Sequence, residues 1–493
     1  MAAVYKTPGV YVEEIPKFPP SIAPVETAIP AFIGYTSIAD NRAIGDLLLK
    51  PTRISSMVEY EKYFGEAQPE TGIDVAIKQV TVNGVTTVTE AVARLDESVR
   101  SKHIMYYALQ MFFANGGGPC YIVSVGAYKT GSGSLVETEL DKGLKILAKE
   151  DEPTLIIFPE AQNLSIADFK TLHDAALKQC EDLKDRFVIM DIHGGVDEED
   201  DNHGGVDEED DNISLSDPDA NLLTAIKNFR TNGIGTNNLK YGAAYGPNIE
   251  TVLDFAFDEG EVDVTITTDG TAAPVVKLDT LRISKNSIYE QAKAAIRDMP
   301  CKMPPASAIA GIYAAVDNSR GVWKAPANVS VNAVTQPTIK FSNIEQDQMN
   351  VDVTGGKSVN AIRPFIGKGT LVWGARTLAG NDNEWRYINV RRFFNFVEES
   401  TKKATEQFVF EPNDANTWVK IQAMIENFLT TLWRQGALQG IKPEHAFYVA
   451  VGLGKTMTPL DILEGRMIVE IGMAAVRPAE FIILKFSHKM AES

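Results

Sequence analysis

Residues 101–125, SKHIMYYALQMFFANGGGPCYIVSV, decide the fold class. Apolar side chains recur at helical spacing through 101–115, which predicts a helix. Gly116-Gly117-Gly118-Pro119 then stops it, because a glycine beyond the last turn can take the positive φ that closes a helix C-terminus. Cys120-Tyr121-Ile122-Val123-Ser124-Val125 follows as a strand. A helix returned by a glycine turn into a buried strand is half of an α/β unit.

Working outward, Ala31-Phe32-Ile33-Gly34-Tyr35 reads as the first buried strand of the body. Thr154-Leu155-Ile156-Ile157-Phe158 and Arg186-Phe187-Val188-Ile189-Met190 read as two more, and 165–182 between them has helical spacing. This strand–helix–strand alternation predicts an α/β layer with some parallel pairing. Beyond Asn248, short β-like stretches at 262–266 and 275–278 predict a small β insertion within 249–280. Residues 321–351 are polar and loop-like, and they put a domain boundary near their end. Thr370-Leu371-Val372-Trp373 follows as a strand, and 413–435 as a helix with Trp418, Ile421, Ile425, Phe428 and Leu432 on one stripe. Asn413 or Asp414 can cap its start and Gly436 its end. Residues 466–473 and Phe481-Ile482-Ile483-Leu484-Lys485-Phe486 read as strands, and the second is so apolar that it needs a sheet to join. The expected division is an arm over 1–20, a large α/β part over 21–345 and a C-terminal domain over 346–493.

The first thirty residues behave differently. Thr7-Pro8-Gly9 is a turn signal, and Val10-Tyr11-Val12-Glu13-Glu14-Ile15 a short strand. Pro16, Pro19, Pro20, Pro24 and Pro30 then impose an extended path. Such an arm either runs across its own body or adds to the sheet edge of another subunit.

The chain has 493 residues, room for about three domains. At 44% hydrophobic and 23% charged it is of ordinary globular composition. A formal net charge of −19 argues against coating nucleic acid, which needs a basic footprint, and against docking on anionic lipid. Cys120, Cys180 and Cys301 are widely spaced, with neither a disulfide framework nor a zinc pattern. The opening residues lack the basic-then-apolar run of a signal peptide, and no apolar stretch is long enough to span a bilayer. Synthesis as a soluble cytoplasmic protein is the expectation.

No H-E-x-x-H, G-x-S-x-G or G-x-G-x-x-G motif occurs, so no catalytic residue, cofactor site or metal site is assigned. Gly454-Lys455-Thr456 resembles the end of a phosphate loop, but Val449 stands where that loop needs glycine. His173 is read as a surface residue. Arg391-Arg392, beside Phe393, Phe394 and Phe396, is read as a solvated helix face with aromatic anchors. HGGVDEEDDN at 193–202 recurs unchanged at 203–212, placing ten acidic side chains in twenty residues. It is read as a solvated loop. Asp197, Glu199, Asp201 and Glu208 have calcium-loop spacing, but Asn202 replaces the required glycine and the second copy fails on Pro218.

Several blocks resemble one family, the sheath proteins of contractile phage tails and of phage-like contractile injection systems. They run in family order: residues 7–14 with Val10-Tyr11-Val12, Ala28-Ile29-Pro30-Ala31-Phe32-Ile33-Gly34, and Phe112-Phe113-Ala114-Asn115-Gly116-Gly117-Gly118. The most specific are 303–311, containing Pro305, and Arg320-Gly321-Val322-Trp323-Lys324-Ala325-Pro326-Ala327-Asn328. Gly374-Ala375-Arg376-Thr377-Leu378, residues 385–392 ending in Arg391-Arg392, and Arg477-Pro478-Ala479-Glu480-Phe481 complete them.

The resemblance implies a multi-domain tail-sheath fold whose C-terminal domain lies innermost against a rigid tube, with the larger α/β part outward. It implies strand addition between subunits through 10–15 and 481–486, in a helical assembly of this chain around an inner tube protein, with baseplate and terminal cap proteins as partners. Composition and charge leave nucleic acid and direct membrane insertion out of the expected partners. Residues 18–30 look more like extracellular injection particles than virion tails, and a single full-length chain differs from the split sheath of type VI secretion. The expectation is therefore an extracellular contractile injection system, with a myophage tail as the alternative.

Overall fold

The strand Pro30–Thr36 is buried along its whole length and pairs in parallel on both sides, with Cys120–Ala127 and with Leu155–Ile157. Parallel neighbours require crossover connections, and a strand so placed needs helices on both faces of its sheet. The structure, a computed structural model, describes residues 22–129, 135–193 and 218–485. Within it the strand sits inside a nine-stranded sheet. The order is Val329–Ser330, Gly369–Trp373, Val359–Phe365, Gly242–Gly246, Phe187–Asp191, Leu155–Ile157, Pro30–Thr36, Cys120–Ala127 and Thr52–Ile54. The six strands from Val359–Phe365 to Cys120–Ala127 pair in parallel, and antiparallel strands close both edges.

Alternation along the strands feeds two cores. Phe32, Ile122, Ile157 and Ile189 pack with the helices Met105–Ala114 and Ala306–Arg320. Ile33, Val123, Ile156 and Val188 pack with Glu137–Leu147 and Ile166–Leu183 on the other face. The expected helix at 101–115 and the strands at 120–125, 154–158 and 186–190 are therefore present, with the α/β class. On the first face two helices come close at Gly311, where a Cβ would stand 2.4 Å from the Phe112 carbonyl oxygen.

The β insertion is larger than 249–280. Asp263–Thr268 pairs in parallel with Ile73–Val82, which forms a hairpin with Val85–Leu95. Helices Leu278–Ser284 and Asn286–Arg297 supply Leu281, Ile288, Tyr289 and Ala292 to its core, against Ile73, Val75, Ile77 and Val264. The hairpin turns at Asn83-Gly84, with φ of 52° and 78°. Asn-Gly between alternating strands is the local signal that marks such a turn.

Contacts divide the chain into two units, Glu26–Phe396 with Arg477–Ser493, and Met1–Val25 with Val397–Val476. The division falls at Phe396 rather than near 345, because Val359–Phe365 and Gly369–Trp373 continue the large sheet. The polar stretch before them holds two short strands and the helix Asn343–Asn350, whose capping box joins Ser342 and Glu345. In the smaller unit the helix Ala415–Arg434 starts at Asp414, whose side chain accepts from the Thr417 amide. Its stripe buries Ile421, Ile425, Phe428 and Leu432, and the strands Phe447–Val451 and Val469–Met473 pair antiparallel.

Asp191, buried at the end of its strand, accepts the Ala306 amide at 2.7 Å and so caps the helix Ala306–Arg320. Burial pushes its carboxyl from the ordinary 3.8 up to about 7, although the amide hydrogen bond pulls the other way. The unfolded chain ionises this group at the ordinary value, so between those limits the folded state holds the extra proton. Its contribution to stability is complete below the unfolded value and is lost as pH rises through about 7. Urea unfolding of Asp191→Asn beside the wild type should therefore show a stability difference that shifts against the wild type as pH rises. Parallel pH profiles for the two proteins would contradict this.

Candidate functional site at the root of the C-terminal segment

In doubly wound α/β sheets ligands bind beyond the carboxyl ends of the strands, where the strand order reverses. Here that place lies beyond Pro30–Thr36 and Leu155–Ile157, and the chain's own side chains fill it. Glu160 is fully buried and accepts the Tyr35 amide at 3.0 Å. Its other oxygen lies 3.3 Å from His103 Nδ1, and His103 Nε2 accepts the Lys129 amide at 2.9 Å, so Nδ1 carries the proton. Burial raises the Glu160 carboxyl, against the pull of His103. Among the described residues no group of three or more His, Cys, Asp or Glu is placed to hold a metal ion. No described helix is long and apolar enough to cross a membrane.

The features that distinguish the surface lie at the C-terminus. Phe481, Ile482, Ile483 and Leu484 are each between 69% and 80% exposed, and residues 481–485 form no strand. The sheet that this segment was expected to join is thus not supplied by its own chain among the described residues. Val10–Ile15 and Phe486 lie outside the described residues, as does the acidic duplicate after His193.

Immediately before the apolar run, Glu480 is held from three directions. Arg376 donates Nε at 2.9 Å to one carboxylate oxygen and Nη2 at 2.7 Å to the other. Asn350 Nδ2 donates at 2.8 Å and the Tyr387 hydroxyl at 3.1 Å. This two-pronged fork is the strong geometry for a guanidinium and a carboxylate. Arg376 is itself fixed through its backbone. Its amide donates to Asn360 Oδ1 at 2.8 Å, and Asn360 Nδ2 donates back to the Arg376 carbonyl and on to the Ala244 carbonyl. Gly374 permits this approach, since a Cβ there would stand 2.7 Å from Asn360 Oδ1. Partial burial would raise the Glu480 carboxyl, but the hydrogen bonds from Arg376 and Asn350 and the Arg376 charge outweigh it and hold the group below the usual range.

Arg391 and Arg392 are buried, not solvated as the charge pattern suggested. Arg392 donates to Asp317 at 2.5 and 3.1 Å and to the Thr27 carbonyl at 2.9 Å, while its guanidinium lies 4.5 Å from the Tyr313 ring centre. The Thr27 hydroxyl donates to the same aspartate at 2.6 Å, so the pair fastens the chain at the start of the larger unit. Arg391 stacks over Trp385 at 4.2 Å and donates to Asn395. His173 is likewise buried, with Nδ1 at 2.9 Å from the Phe169 carbonyl, and burial lowers it to about 4. An arginine with aromatic neighbours packs as readily inside as outside once its donors are matched, which spacing alone does not reveal.

The remaining residues singled out in sequence build the frame. Asn115 joins the end of Met105–Ala114 to Asn332, accepting its amide at 2.7 Å, and Gly116 takes φ of 92°. Gly117 faces the Phe112 ring at a distance that excludes a Cβ. Pro305 precedes the helix that Asp191 caps, and exposed Arg320 lies in that helix's last turn. Gly321 ends the helix with φ of 88° against Trp323, Pro326 is buried, and Asn328 takes φ of 58° as its amide pairs with the Val372 carbonyl.

A family model described as the phage tail sheath C-terminal domain matches residues 380–489. The chain matches the sheath complex of an extracellular contractile injection system, PVC, in its contracted state at 28% identity. That match covers 99% of both chains with a TM-score of 0.61. It also matches the contracted helical sheath of the anti-feeding prophage at 29% identity, over 99% of this chain and 100% of the other, with a TM-score of 0.60. Over nearly its whole length the chain therefore resembles the sheaths of contractile injection systems. Curated sheath relatives include the tail sheath proteins of Burkholderia phage BcepMu, 29% identical over 144 residues, and of Enterobacteria phage T4, 30% identical over 115. The matches span 28% and 23% of this chain but only 30% and 17% of those relatives' lengths. The family-model match takes in both Arg391–Arg392 and Glu480.

Removing one partner of a buried ion pair leaves the other charge uncompensated, at a cost of about 3–5 kcal/mol. Arg392→Ala and Asp317→Ala should each lower the urea midpoint accordingly, and the double variant should cost less than their sum. Single variants that unfold at the wild-type midpoint would remove this pair from the structural frame.

Proposed function

We propose that this chain is the repeating subunit of a helical contractile sheath in an extracellular contractile injection system. The sheath surrounds an inner tube and contracts to drive it through a target envelope. The observation that carries this reading is the apolar run 481–484, exposed beyond a firmly held Glu480. Such a segment gains most by adding to the sheet edge of a second copy, where its main chain pairs and alternate side chains are covered. The arm at 10–15 does the same from the other end. Contacts of this donor-to-acceptor kind repeat along an open helix instead of closing on a dimer. The likeness over nearly the whole chain to two contracted injection-system sheaths supports the setting.

The partners that follow are further copies of this chain, the inner tube protein, and the baseplate and cap proteins at the two ends. The protein acts as a structural element, not an enzyme. Its extended assembly is held kinetically, and contraction draws on a small free-energy gain per subunit summed along the sheath. It is made in the cytoplasm and reaches the outside as part of the particle. A myophage tail is the second reading, favoured by the phage origin of the curated relatives. Neighbouring capsid and terminase genes would decide for it.

Purified full-length protein at high concentration should form hollow tubes in negative-stain micrographs. Truncations lacking 1–17 or 481–493 should stay folded by circular dichroism yet form none. Tubes of normal yield from both truncations would refute strand donation, and a wild type that stays monomeric would refute the sheath reading.

A further inference from the structure

Glu480 follows the smaller unit in sequence, yet every group that holds it belongs to the larger one. Arg376, Asn350 and Tyr387 all lie within Glu26–Phe396. The last main-chain hydrogen bond before it, from the Val476 amide to the Ala437 carbonyl, lies in the smaller unit. The chain thus changes its attachment between Val476 and Glu480, just before the exposed run begins.

We propose that the Arg376–Glu480 ion pair is a positioning clamp that ties the root of the donated C-terminal strand to the larger unit. The strand then starts at Phe481 in a set place and direction. This rests on the reading of 481–486 as a donated strand. Three observations support the clamp. Its anchor is rigid, since Arg376 is gripped through both backbone groups by the fully buried Asn360. Its grip is directional, since both carboxylate oxygens are engaged by separate guanidinium nitrogens. Its position adjoins the exposed run, since among the described residues no strand pairs with 481–485. A tethered strand presented in one direction has a higher effective concentration at a neighbour's sheet edge than one on a loose linker. Opening the clamp frees 477–480 as well and dilutes the strand. It also frees the strand from the larger unit, so that pull between neighbouring subunits no longer reaches that unit directly.

The carboxylate is the part that can be switched. Its proton affinity in the clamp is reduced, so the clamp is complete above the ordinary glutamate range. It opens only as pH falls below that range.

The test uses the full chain below its assembly concentration, with nitroxides on Ile482→Cys and Lys368→Cys, both exposed, while the native cysteines are buried. The wild type should give a narrow distance distribution at neutral pH. Glu480→Gln should broaden it about twofold, as expected when a short linker is released, and should lower the melting temperature because buried Arg376 loses its counter-charge. The wild type should broaden in the same way only in acid, and Glu480→Gln should show no such pH dependence. In assembly, Glu480→Gln should raise the concentration needed for tubes about tenfold. An equally narrow distribution in Glu480→Gln, or a wild-type width that does not change in acid, would overturn the clamp. Should the variant misfold, the acid series on the wild type still decides. Normal tubes from the chain lacking 481–493 would instead overturn strand donation, an outcome separable from the distance measurement, which needs no tube.

Discussion

A parallel strand buried on both faces obliges the chain to lay helices over both sides of the sheet, and the larger unit is built around that requirement. Pro30–Thr36 meets parallel neighbours at each edge. Its odd and even side chains therefore feed separate cores, one with Met105–Ala114 and Ala306–Arg320, the other with Glu137–Leu147 and Ile166–Leu183. From this arrangement come the close approach at Gly311, the capping of a helix by Asp191, and the crevice that Glu160 and His103 fill. In an enzyme of this class the crevice would hold a ligand. Here its polar groups satisfy one another, and the exposed chemistry is displaced to the end of the chain.

What remains is an exposed apolar extension. Four apolar side chains in a row stand in solvent at 481–484. Burial of such side chains is worth about 1.5–3 kcal/mol each, so an edge that accepts them gains substantially. The ion pair at Glu480 joins the residue before this segment to Arg376, and the Arg392–Asp317 pair fastens the chain at Thr27. Both arginines lie in blocks that carry the family resemblance. Their ion pairs give both arginines a structural role within those blocks.

Much of the frame was legible in order along the chain. Periodicity found the helix at Met105–Ala114, the helix at Ala415–Arg434 and the apolar parallel strands, because each declares itself within a dozen or so residues. The insertion is legible only in part, since Asp263–Thr268 finds its partner in Ile73–Val82, far upstream, beside the hairpin that turns at Asn83-Gly84. A polar stretch with short elements looks like a linker from composition alone. Its burial depends on Val359–Phe365 and Gly369–Trp373 continuing the sheet beyond it.

By itself the sequence determined the α/β alternation, the apolar character of 481–484 and the order of the blocks that carry the family resemblance. These depend on local pattern and on residue type. Only the tertiary structure decided that Arg391 and Arg392 are interior, that His173 is buried, and that Glu480 docks on Arg376. The last pairing spans 104 positions. No local rule selects a partner at that range. The selection is made by the fold, which brings Asn360 from the sheet, Asn350 from a helix end and Tyr387 from the residue before another helix around the Arg376–Glu480 pair.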